Sequence, residues 1–220
     1  MKPAGSTANK KIGITGGIAS GKSSVSKMLS GLLECEHIDA DDICRQLLEP
    51  REEGWREFTR AFGSSYLSDD ETINRPLLRS DLFDSEQFRQ NVNDIIHPIV
   101  KRVVLSRMNQ IVESAPDLKV VVEVPLLYEV HWEDIFDTVV VVYADYETCL
   151  NRLVGRDGVN KSGAEKELQS QWPLAEKVKK ANHVIDNSGL LADIKSQVEH
   201  LAELLQNNGR GSEKKLDSKK

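Results

Sequence analysis

Residues 11–23 read KIGITGGIASGKS, and within them Gly16-Gly17-Ile18-Ala19-Ser20-Gly21-Lys22-Ser23 fits the pattern G-x-x-x-x-G-K-S. In that pattern the glycines let successive backbone N–H groups turn inward as an anion nest. The lysine reaches the outer phosphates of a nucleotide, and the hydroxyl serves as a Mg²⁺ ligand. Chance matches to the pattern occur, so its surroundings decide. Upstream, Lys11–Thr15 is a short β-type run; downstream, Val25, Met28, Leu29, Leu32 and Leu33 recur at helical spacing. Strand, glycine loop and helix are the arrangement the chemistry requires, because the helix N-terminus adds its partial positive charge at the phosphates. An ordinary glycine-rich turn would leave the lysine, the hydroxyl and both flanks unexplained.

Outward from this loop, further strand signals are short and β-branched. They are Cys35–Asp39 (CEHID), Lys119–Val124 (KVVVEV), Asp137–Tyr143 (DTVVVVY) and His183–Asp186 (HVID). Near-continuous valine runs fit strands covered on both faces, hence a parallel sheet between helices. Alternation of strand and helix predicts an α/β, three-layer α/β/α domain with right-handed crossovers. Between about Asp41 and Pro116 the alternation stops and only helical patterns remain, among them a longer one (Ile95, Ile96, Ile99, Val103, Val104) broken or started at His97-Pro98. An inserted helical subdomain covering a substrate is expected there, over about 41–116. The polar stretch Gly155–Gly163 (GRDGVNKSG) separates two helical runs and is expected at the tip of a lid, over about 155–172.

The chain has 220 residues, 39% hydrophobic and 29% charged, with a net charge of −6. One core with an inserted subdomain fits that length. The acidic balance argues against a broad basic nucleic-acid face. No apolar run approaches the roughly 20 residues of a membrane span, and the N-terminus lacks the apolar core of a secretory signal. Cys35, Cys44 and Cys149 are scattered, without metal-ligand spacing, and read as reduced thiols in a cytoplasmic protein. Residues 1–9 and 207–220 are polar or lysine-rich and are expected to be disordered.

Other residues must say which phosphate chemistry the loop serves. Asp39 and Asp41 follow the second strand, and ligands of open parallel sheets gather at the strands' carboxyl ends. A carboxylate there can take a proton from an attacking hydroxyl or help hold Mg²⁺ through water; capping of the next helix is the alternative. Glu123 sits inside a valine run, where an unpaired carboxylate is costly. Its partner is Lys22, an arginine or a hydrated metal, or it belongs to a structural ion pair. Arg152 and Arg156, four apart, share a helical face from which a guanidinium could stabilise charge on a transferred phosphoryl group; Arg156 at the lid junction is preferred, and a solvated cationic face is the alternative. His97 before Pro98 reads most simply as a helix start. The turn Ile185-Asp186-Asn187-Ser188-Gly189 could carry a purine or be a plain Asn/Gly turn. A guanine-dependent switch is disfavoured: Gly163 stands where N-K-x-D needs its aspartate, and the D-x-x-G at 186–189 comes after that segment rather than before it.

From about Lys11 to Leu205 the ordered blocks resemble the dephospho-coenzyme A kinase family. They are the loop through Ser24, Ile38-Asp39-Ala40-Asp41 with Arg45, His97-Pro98, Glu123-Val124-Pro125-Leu126-Leu127-Tyr128-Glu129, Arg152 and Arg156-Asp157-Gly158, and Gln171, Lys177 and Ile185–Gly189. Ser24 stands where the family has threonine, and Asn182 where it often has aspartate. The resemblance implies a P-loop kinase fold with a five-stranded parallel sheet, a helical substrate domain and a lid. It implies transfer of the ATP γ-phosphoryl group to the ribose 3′-hydroxyl of dephospho-coenzyme A, the last step of coenzyme A synthesis, with Mg²⁺ as cofactor and a monomer or small homo-oligomer. By carry-over Asp41 is the base, with Lys22 and Arg156 beside it in catalysis. Gly17, Ile18, Ala19, Ser20, Gly21, Lys22, Ser23, Ser24 and Asn187 hold ATP, with Ser23 on the metal. Asp39, Arg45, His97, Glu123 and Leu126 face the acceptor.

Overall fold

Five short runs become strands: β1 (Lys11–Gly16), β2 (Glu36–Asp39), β3 (Val120–Glu123), β4 (Thr138–Tyr143) and β5 (His183–Asp186). They lie in the order β2-β3-β1-β4-β5. β1 pairs in parallel with β3, Ile14 opposite Glu123, and with β4, Gly16 opposite Val142; β4 pairs in parallel with β5. The structure is a computed structural model that describes residues 10–115 and 118–207. The expected disordered ends therefore lie outside the described residues, except Asn207, which closes the last helix.

Strand ends differ slightly from the sequence reading. Asp137 is not in β4; its carboxylate accepts the Lys10 and Lys11 N–H groups and so brackets the start of β1. Val124 still donates to Ile14 O, but Pro125 next to it has no N–H with which to continue β3. All four residues of β3 and five of six in β4 are buried, as strands covered on both faces require.

The chain divides into two compact units, residues 1–38 with 110–220, and residues 39–109. In the first, helix α1 (Lys22–Leu32) turns Val25 and Leu29 onto Ile12, Ile14 and Val140, and the C-terminal helix Leu191–Asn207 closes the same core with Val198, Leu201 and Leu205. Each such side chain contributes roughly 1.5–3 kcal/mol on burial. The second unit holds α2 (Ala40–Leu47), α3 (Glu53–Phe62), α4 (Arg75–Asp84) and α5 (Glu86–Ser114) as far as residue 109. Phe58, Phe62, Tyr66 and Phe88 pack ring on ring, with Tyr66 and Phe88 stacked at 5.2 Å. This stretch is not purely helical: Leu67 and Ile73 form an antiparallel bridge across a turn.

Two helical boundaries are corrections. His97-Pro98 neither starts nor breaks a helix, because Pro98 lies inside α5. Val92, Ile96, Ile99, Val100, Val104 and Met108 keep one buried stripe across it, and that burial outweighs one missing hydrogen bond. The polar stretch 155–163 is mostly helical as well. Gly155–Asp157 ends α6 (Tyr146–Asp157), and Lys161–Gly163 begins α7 (Lys161–Gln169), leaving only residues 158–160 as the connection. Asn160 caps α7 through Gly163 N. Next come α8 (Leu174–Lys180) and, after β5, α9 (Leu191–Asn207).

Candidate active site

The phosphate-loop sequence folds as a tight turn between β1 and α1. A Cβ at Gly16 would lie 2.4 Å from Val142 O, so the loop can leave the sheet only at a glycine. Gly21 has φ +91°, and a Cβ there would meet Asn187 Nδ2 at 1.9 Å. Between them Ala19 is held at φ 57°, a left-handed conformation of the kind that turns amides into a nest. Gly21 is also the residue before α1 and has no side chain to cap it; its carbonyl accepts Ser24 N and Val25 N, and the start of α1 brings its partial positive charge to the loop.

The loop is braced from several sides. Asn187, buried, donates from Nδ2 to Ser20 O at 2.6 Å. Its side chain thus supports the loop from behind. Ile18 N donates to Gln171 Oε1 at 3.0 Å. Lys22 Nζ folds over the loop onto Gly17 O at 2.7 Å.

Around the loop lies a cavity of about 410 Å³ lined by Ala19, Gly21, Lys22, Ser23, Ser24, Arg152 and Arg156. Three cations face a ring of backbone, which suits a polyanion. Both arginines line this cavity, and they are held differently. Arg152 is tied by Nη2 to Asn187 O at 2.9 Å, while its Nη1 is buried without a hydrogen-bond partner. Arg156 is more exposed and paired with Asp157 at 2.6 Å. A neighbouring cavity of about 350 Å³ shares Gly21, Ser24 and Arg152 and adds Val25, Met28, Leu191 and Ile194. On the other flank of the loop an apolar cavity of about 470 Å³ runs past Gly17 and Ile18 to Tyr146, Trp172 and Leu174, with no lysine or arginine in its lining. Trp172, partly exposed, is among the residues that line it.

Glu123 does not wait for a partner. Its Oε1 accepts the Ser23 hydroxyl at 2.8 Å, and its Oε2 lies 3.8 Å from His37 Nε2. The residue is 3% exposed. Because Ser23 donates its proton to Glu123, its lone pairs remain available to a cation. The described residues contain no cluster of three or more His, Cys, Asp or Glu side chains suited to a metal. A hydroxyl beside one buried carboxylate therefore fits a Mg²⁺ ion that arrives on a nucleotide, with phosphate and water supplying most ligands. Past β3, Pro125 O accepts from Thr15 Oγ1 and from Lys177 Nζ. Lys177 is fully buried and pairs with Glu129 at 2.7 Å. Burial lowers its pKa, and the Glu129 contact opposes that shift. Leu126, half-buried, follows in the same turn, where its carbonyl accepts Val130 N.

In the unit of residues 39–109, Asp39 is the cap of α2 and its Oδ1 accepts Asp41 N and Asp42 N. Capping is thus the task of Asp39, not of Asp41, which sits exposed in the first helical turn. Arg45 pairs with Asp42 on the surface of α2. His97 is half-buried on α5, and burial lowers its pKa against the opposing pull of Asp94.

Sequence reasoning passed over His37 and the bracing roles of Glu129, Gln171, Asn187 and Lys177. Only His37 had a local signal: it lies two residues before Asp39 on β2, hence on the same strand face.

A family model described as dephospho-CoA kinase matches residues 10–193. The dephospho-CoA kinase of Halalkalibacterium halodurans is 40% identical over 187 residues, which is 85% of this chain and 92% of that protein. A crystal structure from Thermus thermophilus is similar with a TM-score of 0.72 and 29% identity over 90% of this chain and 99% of that one. The dephospho-CoA kinase of Campylobacter jejuni shares the fold, with a TM-score of 0.60 and 24% identity over 91% and 100% of the two chains.

Proposed function

The chain belongs to the dephospho-CoA kinase family, and on that footing we propose that it transfers the γ-phosphoryl group of ATP to the ribose 3′-hydroxyl of dephospho-coenzyme A, completing coenzyme A synthesis in the cytoplasm. One observation carries the donor half: the cavity that Lys22, Arg152 and Arg156 line together with the loop and the first residues of α1. Such a cage neutralises a triphosphate and holds it in one geometry, which is most of what phosphoryl transfer asks of a protein. The adjoining pocket of Val25, Met28, Leu191 and Ile194 suits the flat apolar faces of a purine. Asn187 serves ATP indirectly, by holding Ser20 and so the loop.

Mg²⁺, when bound, offsets charge on the β- and γ-phosphate oxygens. Ser23 would hold it, and Glu123 keeps the Ser23 proton turned away from it. Asp41 is the candidate base. The acceptor hydroxyl gives up its proton late in a loose transition state, so an aspartate carboxylate within hydrogen-bond reach serves. Arg152 is oriented by Asn187 O, and its buried, unpartnered Nη1 is a donor suited to phosphate oxygens.

A coupled assay with ATP, Mg²⁺ and dephospho-coenzyme A, with the product identified by mass, tests the proposal. Coenzyme A is the expected product. Faster turnover of a nucleoside or a nucleotide in the same assay would reassign the acceptor.

A further inference from the structure

His37 and Glu123 face each other across β2 and β3, neighbouring strands of the sheet. Glu123 Oε2 and His37 Nε2 are both buried, and neither has a hydrogen-bond partner. They stand 3.8 Å apart. That is too long for a direct hydrogen bond, which needs about 2.7–3.2 Å, and too short for a water seated in line between them. Two complementary groups, shielded from solvent and stopped about half an ångström short of contact, are a polar pair that closes on a small side-chain rotation. The other oxygen of the same carboxylate already holds the Ser23 hydroxyl.

We propose that His37 is a positioning residue for phosphoryl transfer: its Nε2–H closes onto Glu123 Oε2 and fixes the carboxylate that orients the Ser23 hydroxyl toward the nucleotide-bound cation. The sequence of contacts is His37, Glu123, Ser23. With its proton on Nε2 the imidazole is a donor, and Glu123 then accepts from both sides. A carboxylate held at both oxygens cannot swing, so the Ser23 proton stays on Glu123 and the Ser23 lone pairs stay on the loop side. This is the kind of outer support that commonly changes metal affinity or activity by about 10–100-fold when removed. The inference rests on the kinase function proposed above, and its test is chosen to be readable without the acceptor.

ATP binding is measured by calorimetry with Mg²⁺ and with EDTA for the wild type, His37→Leu and His37→Gln, beside thermal melts. Leucine removes the donor; glutamine keeps an N–H at similar reach. The expected result is an affinity loss of about tenfold for His37→Leu with Mg²⁺ and little change with EDTA. His37→Gln is expected to stay within about threefold of wild type, and kcat to follow the same order with the acceptor KM unchanged. Equal Mg²⁺ dependence in wild type and His37→Leu would overturn the proposal. So would glutamine losing as much as leucine, which would mark a packing role. If His37→Leu does not fold, His37→Asn, a donor too short to reach Oε2, is expected to show the same Mg²⁺-specific loss, and wild-type behaviour there is equally fatal. Wild-type protein that binds MgATP but does not phosphorylate dephospho-coenzyme A would refute the acceptor and leave the calorimetric comparison intact.

Discussion

Lys22 lies largely buried at the start of α1, held over the loop by Gly17 O. A lysine kept in that position serves an anion better than it serves the fold. Lys22→Ala is therefore expected to melt near the wild-type temperature and to transfer phosphate about two to three orders of magnitude more slowly, as loss of a charge-stabilising contact does. A folded variant with a near-normal rate would remove Lys22 from the site. Asp41→Asn tests the acceptor side. Asp39 caps α2, so the change at Asp41 leaves the cap in place. Turnover should fall by about 10²–10⁴-fold with ATP affinity kept. Collapse of ATP affinity at an unchanged rate would make Asp41 a metal-side residue. At this scale the loop residues were legible because their chemistry depends on neighbours one to seven positions away. The sequence preference for Arg156 over Arg152 did not foresee that Arg152 is the arginine locked to Asn187 O, a partner 35 residues distant.

Among the elements, α5 departs furthest from local rules. Pro98 is exposed in its interior and leaves the carbonyl one turn earlier without its N–H. The buried stripe from Val92 to Met108 continues regardless. Pro98→Ala should therefore raise stability, by about 1–3 kcal/mol in urea unfolding, because the missing bond is restored at no cost in packing. A lower stability would mean that the proline shapes α5 to its neighbours. The same competition explains the connection after α6. Gly155 and the polar residues around it suggest a loop, yet α6 carries Leu150 and Leu153 into a small core with Ala164 of α7, and both helices extend to make that contact. Asn160 then supplies the cap that lets α7 begin at once.

Across the whole molecule, pH acts through groups held out of water. His97 in one unit and His183 in the other both have burial-lowered pKa values. The unfolded chain, with histidines near 6.5, then binds protons that the folded chain refuses. Stability is full above that value and drops as pH falls from about 6.5 toward the lowered values, the unfolded state binding more protons throughout the window. His97→Gln with His183→Gln should flatten the melting temperature between about pH 5 and 7. A wild-type slope in the double variant would assign the acid sensitivity elsewhere. Lys177 links three segments in the same molecule: α8, Pro125 beyond β3, and Glu129, which also accepts Trp172 N just after the α7 helix. Each link was invisible along the chain, since Lys177 and Pro125 are 52 residues apart.

Spacing along the chain was enough for the phosphate loop, for strands of near-continuous valine and for their alternation with helices, because each depends on contacts within a turn or a pleat. Only the folded chain decided the order β2-β3-β1-β4-β5, the union of Ser23, Glu123 and His37, and the brace from Asn187 to Ser20 across 167 residues. Crossover connections bring such groups together, and no local periodicity records which strand a crossover will choose as its neighbour.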